Sequence, residues 1–264
     1  MIMKNKLAIY VSSFDGCNDL WETFFTIFDR FWGNCAFPIY LINNELKYEH
    51  KNVKVINSGP EVNWFDRTLR TLESLEEEYI FFFLEDYFIS KSVKNEEVDE
   101  IIDLMSNNNI YYYRISSVPS LKSKQLRLNN SGNMKYPICL QPAIWNRIAL
   151  IEILKEINAK SPWDFEYYYT SRYGLNPKKL DGVMYDTRDI LGYKNGVLRG
   201  KWIPQTLSYY KKLGLNINTG ERDILPFFKA KKYQIADWIS NHITEKNKMS
   251  IKKLLKVFKF DYLH

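Results

Sequence analysis

The sequence predicts an α/β fold: a mostly parallel central sheet flanked by helices, followed by a basic helical tail. Three observations carry this. Short continuous apolar runs recur, as strands buried on both faces require. Segments with helical spacing alternate with them through short connections. The composition is that of a globular protein, 264 residues with 45% hydrophobic and 26% charged, which excludes disordered, collagen-like and coiled-coil chains. A chain of this length buries roughly three-quarters of its unfolded surface, enough for a core without staples.

The elements follow in order. Leu7 to Val11 is apolar and β-prone, a buried strand, and Ser12 to Asn18 is a turn-rich loop. Leu20 to Trp32 has helical spacing, with Phe24, Phe25, Phe28 and Phe31 interleaved. Pro38 to Asn43 and Val53 to Asn57 are the next strands. Asn63 to Glu78 reads as a helix with a stripe of Phe65, Leu69, Leu72 and Leu75. Tyr79 to Leu84 is a continuous apolar strand. Glu96 to Ser106 is helical and Ile110 to Ile115 a strand. Beyond residue 116 the pattern loosens, and Pro119 to Lys135 is polar and loop-like. A helix starts near Trp145, a second spans Ser161 to Tyr173, and Leu191 to Trp202 is Gly-rich and irregular. There is no internal repeat and no low-complexity linker.

Charge is concentrated at one end. Residues 229–264 hold nine lysines and three acids, a surplus equal to the +6 of the whole chain. Ile251, Leu254, Leu255 and Phe258 recur at helical spacing, with Lys252, Lys253, Lys256 and Lys259 on the other face. This basic amphipathic helix over 251–260 suits either an anionic membrane surface or packing on the body with a solvated lysine face. The rest of the chain has no net positive field, which disfavours nucleic acid. No apolar run approaches the ~20 residues that cross a bilayer, and the start has no signal-peptide pattern. Cys17, Cys35 and Cys139 give neither a disulfide framework nor a CxxC pair, and three histidines make a zinc site or histidine triad hard to build. The expected location is cytoplasmic, peripheral on the inner face of the cell membrane. Aromatics make up 16% of the chain, as an aromatic core or a sugar-stacking cleft would.

Three constellations carry chemistry. The strand Tyr79 to Leu84 delivers Glu85-Asp86 to its C-terminal end, where ligands of open α/β sheets bind. Two carboxylates there suit Mg²⁺ or Mn²⁺ on a diphosphate, or are surface acids after a strand. In Ser161-Pro162-Trp163-Asp164-Phe165-Glu166, Ser161 fits an N-cap and Pro162 the first helical position, so Asp164 belongs to a capping box. Glu166 has no such explanation. Set among aromatic rings, it is a raised-pKa general base or a solvated helix acid. Arg199-Gly200-Lys201-Trp202, beside Gly192 and Gly196, is a flexible cationic loop able to close on a diphosphate, or a surface loop. Arg67, on the helix before the acidic strand, could reach a nucleotide; Arg70 equally well pairs with a surface acid. No G-x-G-x-x-G, Walker loop or G-x-S-x-G is present. The Gly-rich loop of a sugar nucleotidyltransferase is missing after the first strand.

From residue 7 to about 202 the ordered pieces resemble bacterial GT-A-type glycosyltransferases, particularly those of capsule and O-antigen clusters. The pieces are Ser12-Ser13-Phe14-Asp15 with Asp19-Leu20-Trp21, Trp64-Phe65-Asp66-Arg67, Phe83-Leu84-Glu85-Asp86-Tyr87-Phe88, Leu140-Gln141-Pro142-Ala143-Ile144-Trp145 and the run from Ser161 to Glu166. The resemblance implies one GT-A, Rossmann-like domain over 1–228, with a nucleotide-binding half (1–116) and an acceptor half (117–228), then the tail 229–264. It implies donor contacts at Ser12, Ser13, Asp15, Trp64, Arg67, Arg199 and Lys201. Gln141, Trp145 and Trp163 would meet sugar or acceptor. Asp86 and Glu85 would hold the metal, although Leu84 stands at the first position of the family's D-x-D motif. Glu166, or Asp164, would be the catalytic carboxylate. The implied activity is hexosyl transfer from a nucleotide sugar to a surface-polysaccharide or lipid-linked acceptor. Two other functions fit the residues: a glycoside hydrolase with paired carboxylates, and a non-catalytic carbohydrate- or membrane-binding module.

Overall fold

The computed structural model describes residues 6–60, 63–115, 127–128, 138–173, 181–185 and 188–233. In chain order the strands are β1 (Leu7–Ser12), β2 (Ile39–Asn43), β3 (Val53–Asn57), β4 (Tyr79–Leu84), β5 (Tyr87–Phe88), β6 (Tyr112–Arg114), β7 (Arg127–Leu128), β8 (Ala143–Asn146), β9 (Val183–Tyr185), β10 (Lys194–Asn195), β11 (Val197–Leu198) and β12 (Lys201–Trp202). The helices are α1 (Asn18–Trp32), α2 (Trp64–Ser74), α3 (Asn95–Asn107), α4 (Arg147–Ile157), α5 (Pro162–Tyr173) and α6 (Pro204–Lys212). Among the described residues, those up to Lys194 form one compact unit and those from Asn195 a second.

The first unit is built on an eight-stranded sheet in the order β3-β2-β1-β4-β8-β6-β9-β7. Strands β3, β2, β1 and β4 are mutually parallel. Strand β8 is antiparallel to both β4 and β6, so β6 points the same way as β4. Strand β9 follows β6 and β7 opposes it. Six strands therefore run one way and two run back, the mostly parallel α/β architecture that the sequence predicts. Strands β1 and β4 are buried along almost their whole length, as their unbroken apolar runs demand.

Helix α1 lays Leu20, Trp21, Phe24, Phe25, Phe28 and Trp32 on the sheet. Helix α2 departs from expectation in length and face. It stops at Ser74, before Glu76-Glu77-Glu78, whose negative charges would oppose the helix dipole at a C-terminus. Its buried face is Trp64, Arg67, Thr68, Thr71 and Leu72, with Phe65 and Leu69 only half-buried. A hydrogen bond of 2.5 Å between the Tyr10 and Thr71 hydroxyls fixes that rotation.

The segment before α4 holds a strand that the sequence reading did not identify. The helix expected near Trp145 starts at Arg147, after Asn146, whose side chain accepts from the Ala149 N–H at 3.1 Å. Ala143-Ile144-Trp145 is a strand inserted between β4 and β6, in register with Phe82, Phe81 and Ile80. Its β-branched and aromatic residues suit a strand buried on both faces. Strand β9 is a second element that the sequence reading did not identify. It follows Gly182, where a Cβ would collide with the Tyr111 ring, so the close approach of the chain to Tyr111 there requires glycine.

In the second unit the region read as irregular contains a hairpin. Val197 pairs with Trp202 and Leu198 with Lys201. Arg199 (φ 53°) and Gly200 (φ 74°) form its two-residue turn, the conformation whose twist matches antiparallel strands. The helix expected over 251–260 lies outside the described residues, as does nearly all of Pro119 to Lys135. Among the described residues, no helix is long and apolar enough to cross a membrane.

Candidate active site

Strand direction gathers the site. Ser12 ends β1 opposite Leu84, the end of β4. Arg114 ends β6 opposite Tyr185, the end of β9. Ala143 begins the reversed strand β8 opposite both Phe82 and Arg114. One edge of the sheet therefore presents Ser13 to Asp15, Glu85-Asp86, Arg114, Tyr185 and Gln141, the C-terminal edge at which α/β folds bind ligands.

Three side chains hold three consecutive residues. The Tyr112 hydroxyl accepts from the Cys139 N–H and donates to the Cys139 carbonyl, both at 3.1 Å. Glu166 Oε1 accepts from the Leu140 N–H at 2.6 Å. Arg114 Nη2 donates to Gln141 Oε1 at 2.7 Å. Tyr112 and Arg114 are two apart on β6 and so share a face. Arg114 is buried, its guanidinium lies 5.7 Å from the Tyr185 ring centre, and among the described residues its Nε has no hydrogen-bond partner.

Helix α5 positions Glu166. Phe165 and Tyr169 are buried. Phe165 packs 5.8 Å from Trp64 and 6.2 Å from Trp145 between ring centres, and the Tyr169 and Tyr111 hydroxyls bond at 2.6 Å. Burial raises the Glu166 carboxyl above the usual carboxylate range, opposed by the Leu140 N–H and the Arg114 charge. Burial also pushes Tyr87 well up, and the negative charges of Asp86 and Glu166 add to that rise. Tyr87 thus lies within electrostatic range of both the acidic turn after β4 and the helix carboxylate.

The expected residues divide. Glu85, Asp86, Gln141 and Glu166 share the edge with Arg114, which the sequence reading missed. The signal existed: Arg114 ends an aromatic strand, just as Glu85-Asp86 ends an apolar one. Arg67 joins from α2. Burial lowers its pKa, while the charges of Tyr10, Glu85 and Asp15 oppose that, and its guanidinium lies 6.0 Å from the Phe14 ring centre. Asp15 also has a structural task. Its carboxylate accepts from the backbone N–H groups of Asn44 (3.0 Å), Glu45 (3.1 Å) and Leu46 (3.3 Å). Ser12 and Ser13 are buried, and Ser13 Oγ accepts from Trp21 Nε1 at 2.7 Å.

Two tryptophans depart from their expected roles. Trp145 is fully buried against Tyr112, 4.5 Å between ring centres, and Trp64 is buried too. Both rings are core that seats α5 rather than faces offered to a sugar. Trp163 is 79% exposed, and lies one turn before Glu166 on the same side of α5. Asp164 caps its helix: its N–H donates to Ser161 Oγ at 3.2 Å, and the Ser161 hydroxyl donates to Asp164 Oδ2 at 2.8 Å. Arg199 and Lys201 belong to the second unit. Arg199 lies 5.3 Å from the Tyr233 ring centre, and Lys201 pairs with Asp223 at 2.5 Å. The tight hairpin turn there replaces the flexible loop expected around them.

Among the described residues no set of three or more His, Cys, Asp or Glu comes together to hold a metal. Glu85 and Asp86 offer two hard oxygen donors, which fits ions such as Mg²⁺ that take one or two carboxylates and complete their shell with phosphates and water.

No protein-family model matches the chain, and no curated protein matches it. Solved structures of similar fold include S. aureus TarS 1–349 in complex with UDP-GlcNAc, at 15% identity over 92% of this chain and 69% of that one, TM-score 0.48. A cytidylyltransferase from Leptospira borgpetersenii serovar Hardjo-bovis aligns at 13% identity over 91% and 99%, TM-score 0.49. The galactosyltransferase LgtC, in complex with donor and acceptor sugar analogs, aligns at 9% identity over 83% and 84%, TM-score 0.39. These likenesses are of chain path, and the chemistry of the site rests on its own residues.

Proposed function

We propose that the chain is a glycosyltransferase that moves a sugar from a nucleotide-sugar donor to a surface-polysaccharide or lipid-linked oligosaccharide acceptor. One observation carries the reading. A single sheet edge gathers an acidic pair, a buried cation and a desolvated carboxylate, and these are the charges that transfer from a diphosphate requires. Glu166 removes the proton of the acceptor hydroxyl. The freed oxygen bonds to the anomeric carbon while the bond from that carbon to the diphosphate oxygen breaks, and the electron pair leaves with the diphosphate. Arg114 holds Gln141 toward the donor sugar, and its charge keeps Glu166 from rising further. The loop from Ser12 to Asp15 and Arg67 border the nucleoside side. The exposed face of Trp163 stacks an acceptor sugar ring. Glu85 and Asp86 would hold Mg²⁺ or Mn²⁺, and a bound ion would offset the charge developing on the leaving diphosphate.

The test is thermal unfolding with UDP, GDP, CMP and dTDP and their common sugars, with Mn²⁺ or with chelator. A nucleotide at 100 times its dissociation constant adds about 2.7 kcal/mol of stability, a rise of several degrees in Tm for a chain this size. No shift with any nucleotide overturns the reading. Release of an aryl aglycone without nucleotide would replace it with hydrolysis.

A further inference from the structure

We propose that residues 224–232 of the second unit are a docking surface for an anionic lipid bilayer. Phe227 and Phe228 are 62% and 69% exposed, and Ile224 beside them is half exposed, whereas most other large aromatics among the described residues are buried or half-buried. Their backbone is pinned. The Trp202 N–H donates to the Asp223 carbonyl at 2.8 Å, and the Leu225 N–H donates to the Trp202 carbonyl at 2.9 Å. Trp202, Leu225 and Ala230 are buried. Residues 227–233 are helical, and the Ala230 N–H donates to the Pro226 carbonyl at 3.0 Å. With Ala230 facing inward, helical geometry sets Phe228 on the opposite side, with Phe227 and Lys231 on one flank and Lys229 and Lys232 on the other. The rings are held outward by fixed backbone.

Charge decides the occupant. From Ile224 to Tyr233 there are three lysines and no acid, and Lys229 and Lys231 are exposed. Apolar rings alone would suit any apolar partner, and lysines alone any polyanion. Both together on one short helix fit an interface that is apolar within and negative at its surface. Stable peripheral binding takes two such signals. Each lysine near an anionic leaflet multiplies partitioning by about fivefold. This inference is independent of the sugar-transfer reading.

The test is co-sedimentation of the full chain with vesicles of phosphatidylcholine, with and without phosphatidylglycerol. Binding is expected with phosphatidylglycerol, weakening as salt shortens the screening length. Phe227→Ser with Phe228→Ser should lower partitioning by roughly tenfold or more, the value of one buried ring. Lys229→Glu with Lys231→Glu should lower it by at least ~25-fold. The replaced side chains are solvent-facing, so Tm should hold in both. Phe228→Trp reports location, because brominated lipid should quench its fluorescence beyond the quenching of the unsubstituted chain. The proposal is overturned if the double-serine variant sediments like the parent, or if Phe228→Trp gives no added quenching. Loss of self-association in sedimentation velocity, with vesicle binding intact, would assign the surface to a second copy and overturn it equally.

Discussion

The two halves of the central sheet make opposite use of their polar ends. In β3-β2-β1-β4 every strand is parallel, and the polar groups just past β1, β2 and β3 are engaged with one another, while Glu85-Asp86 past β4 face the site. Asp15 clamps the Asn44 to Leu46 backbone, Asn57 Nδ2 donates to Asn43 Oδ1 at 2.7 Å, and Ser13 takes the Trp21 N–H. In β8-β6-β9-β7 the strands are two to four residues long and mixed in direction. There a buried arginine and a half-buried carboxylate meet around residues 139–141, and among the described residues the arginine Nε has no hydrogen-bond partner. Saturated polar ends make a scaffold. A cation with an unbonded Nε and an acid with a raised pKa make a place where charge can move.

The sharpest way to break this contrast is Glu166→Gln. The amide oxygen still accepts from Leu140 but cannot take a proton, so turnover should fall by ~10²-fold or more with donor binding kept. Wild-type turnover would remove the base from the second half of the sheet. Next is Asp15→Ala, which strips three backbone N–H groups of their acceptor. Stability should drop by about 1–3 kcal/mol in urea unfolding. Lost nucleotide affinity at unchanged stability would instead make the Asp15 carboxylate a direct contact of the nucleotide. Smaller still is Ser161→Ala, which removes the cap that Asp164 shares. It should cost about 1 kcal/mol and leave turnover within a few-fold. A loss matching that of Glu166→Gln would transfer the chemistry to Asp164.

The scaffold half was legible because its signals are local. Continuous apolar runs gave β1 to β4 nearly to the residue, and the phenylalanine spacing of α1 gave its buried face. The other half was not. Its strands are too short for periodicity, and β8 is specified by the strands on either side of it rather than by its own four residues. Leaving β8 unidentified therefore hid the reversal that carries Gln141 to the shared edge. Glu166 was found because its neighbours are aromatic and no capping role explains it. Arg114 was passed over because one cation after three tyrosines resembles a snorkelling strand end, and only tertiary pairing shows it buried. Trp64 and Trp145 erred in the other direction: a tryptophan is equally suited to core and cleft, and only burial distinguishes them.

The smallest effect is also the most diagnostic, because its sign is fixed. The Glu166 carboxyl has a folded pKa above that of an unfolded glutamate, since burial penalises its charged form more than Leu140 and Arg114 favour it. The folded chain therefore holds this proton more tightly than the unfolded chain does. Below the unfolded pKa both states are protonated, and the site costs nothing. As pH rises through the window between the two values stability declines, and above the folded pKa the loss is complete. Glu166→Gln has no proton to lose. Its Tm relative to the parent should climb as pH is raised from about 4, the ordinary glutamate value, toward neutrality, even though the same change removes activity. Stability gained where function is lost is the mark of a group held in a site that disfavours its charge. A Tm difference that stays flat with pH would show that Glu166 is solvated, and would make it a helix-surface acid like those of the scaffold half.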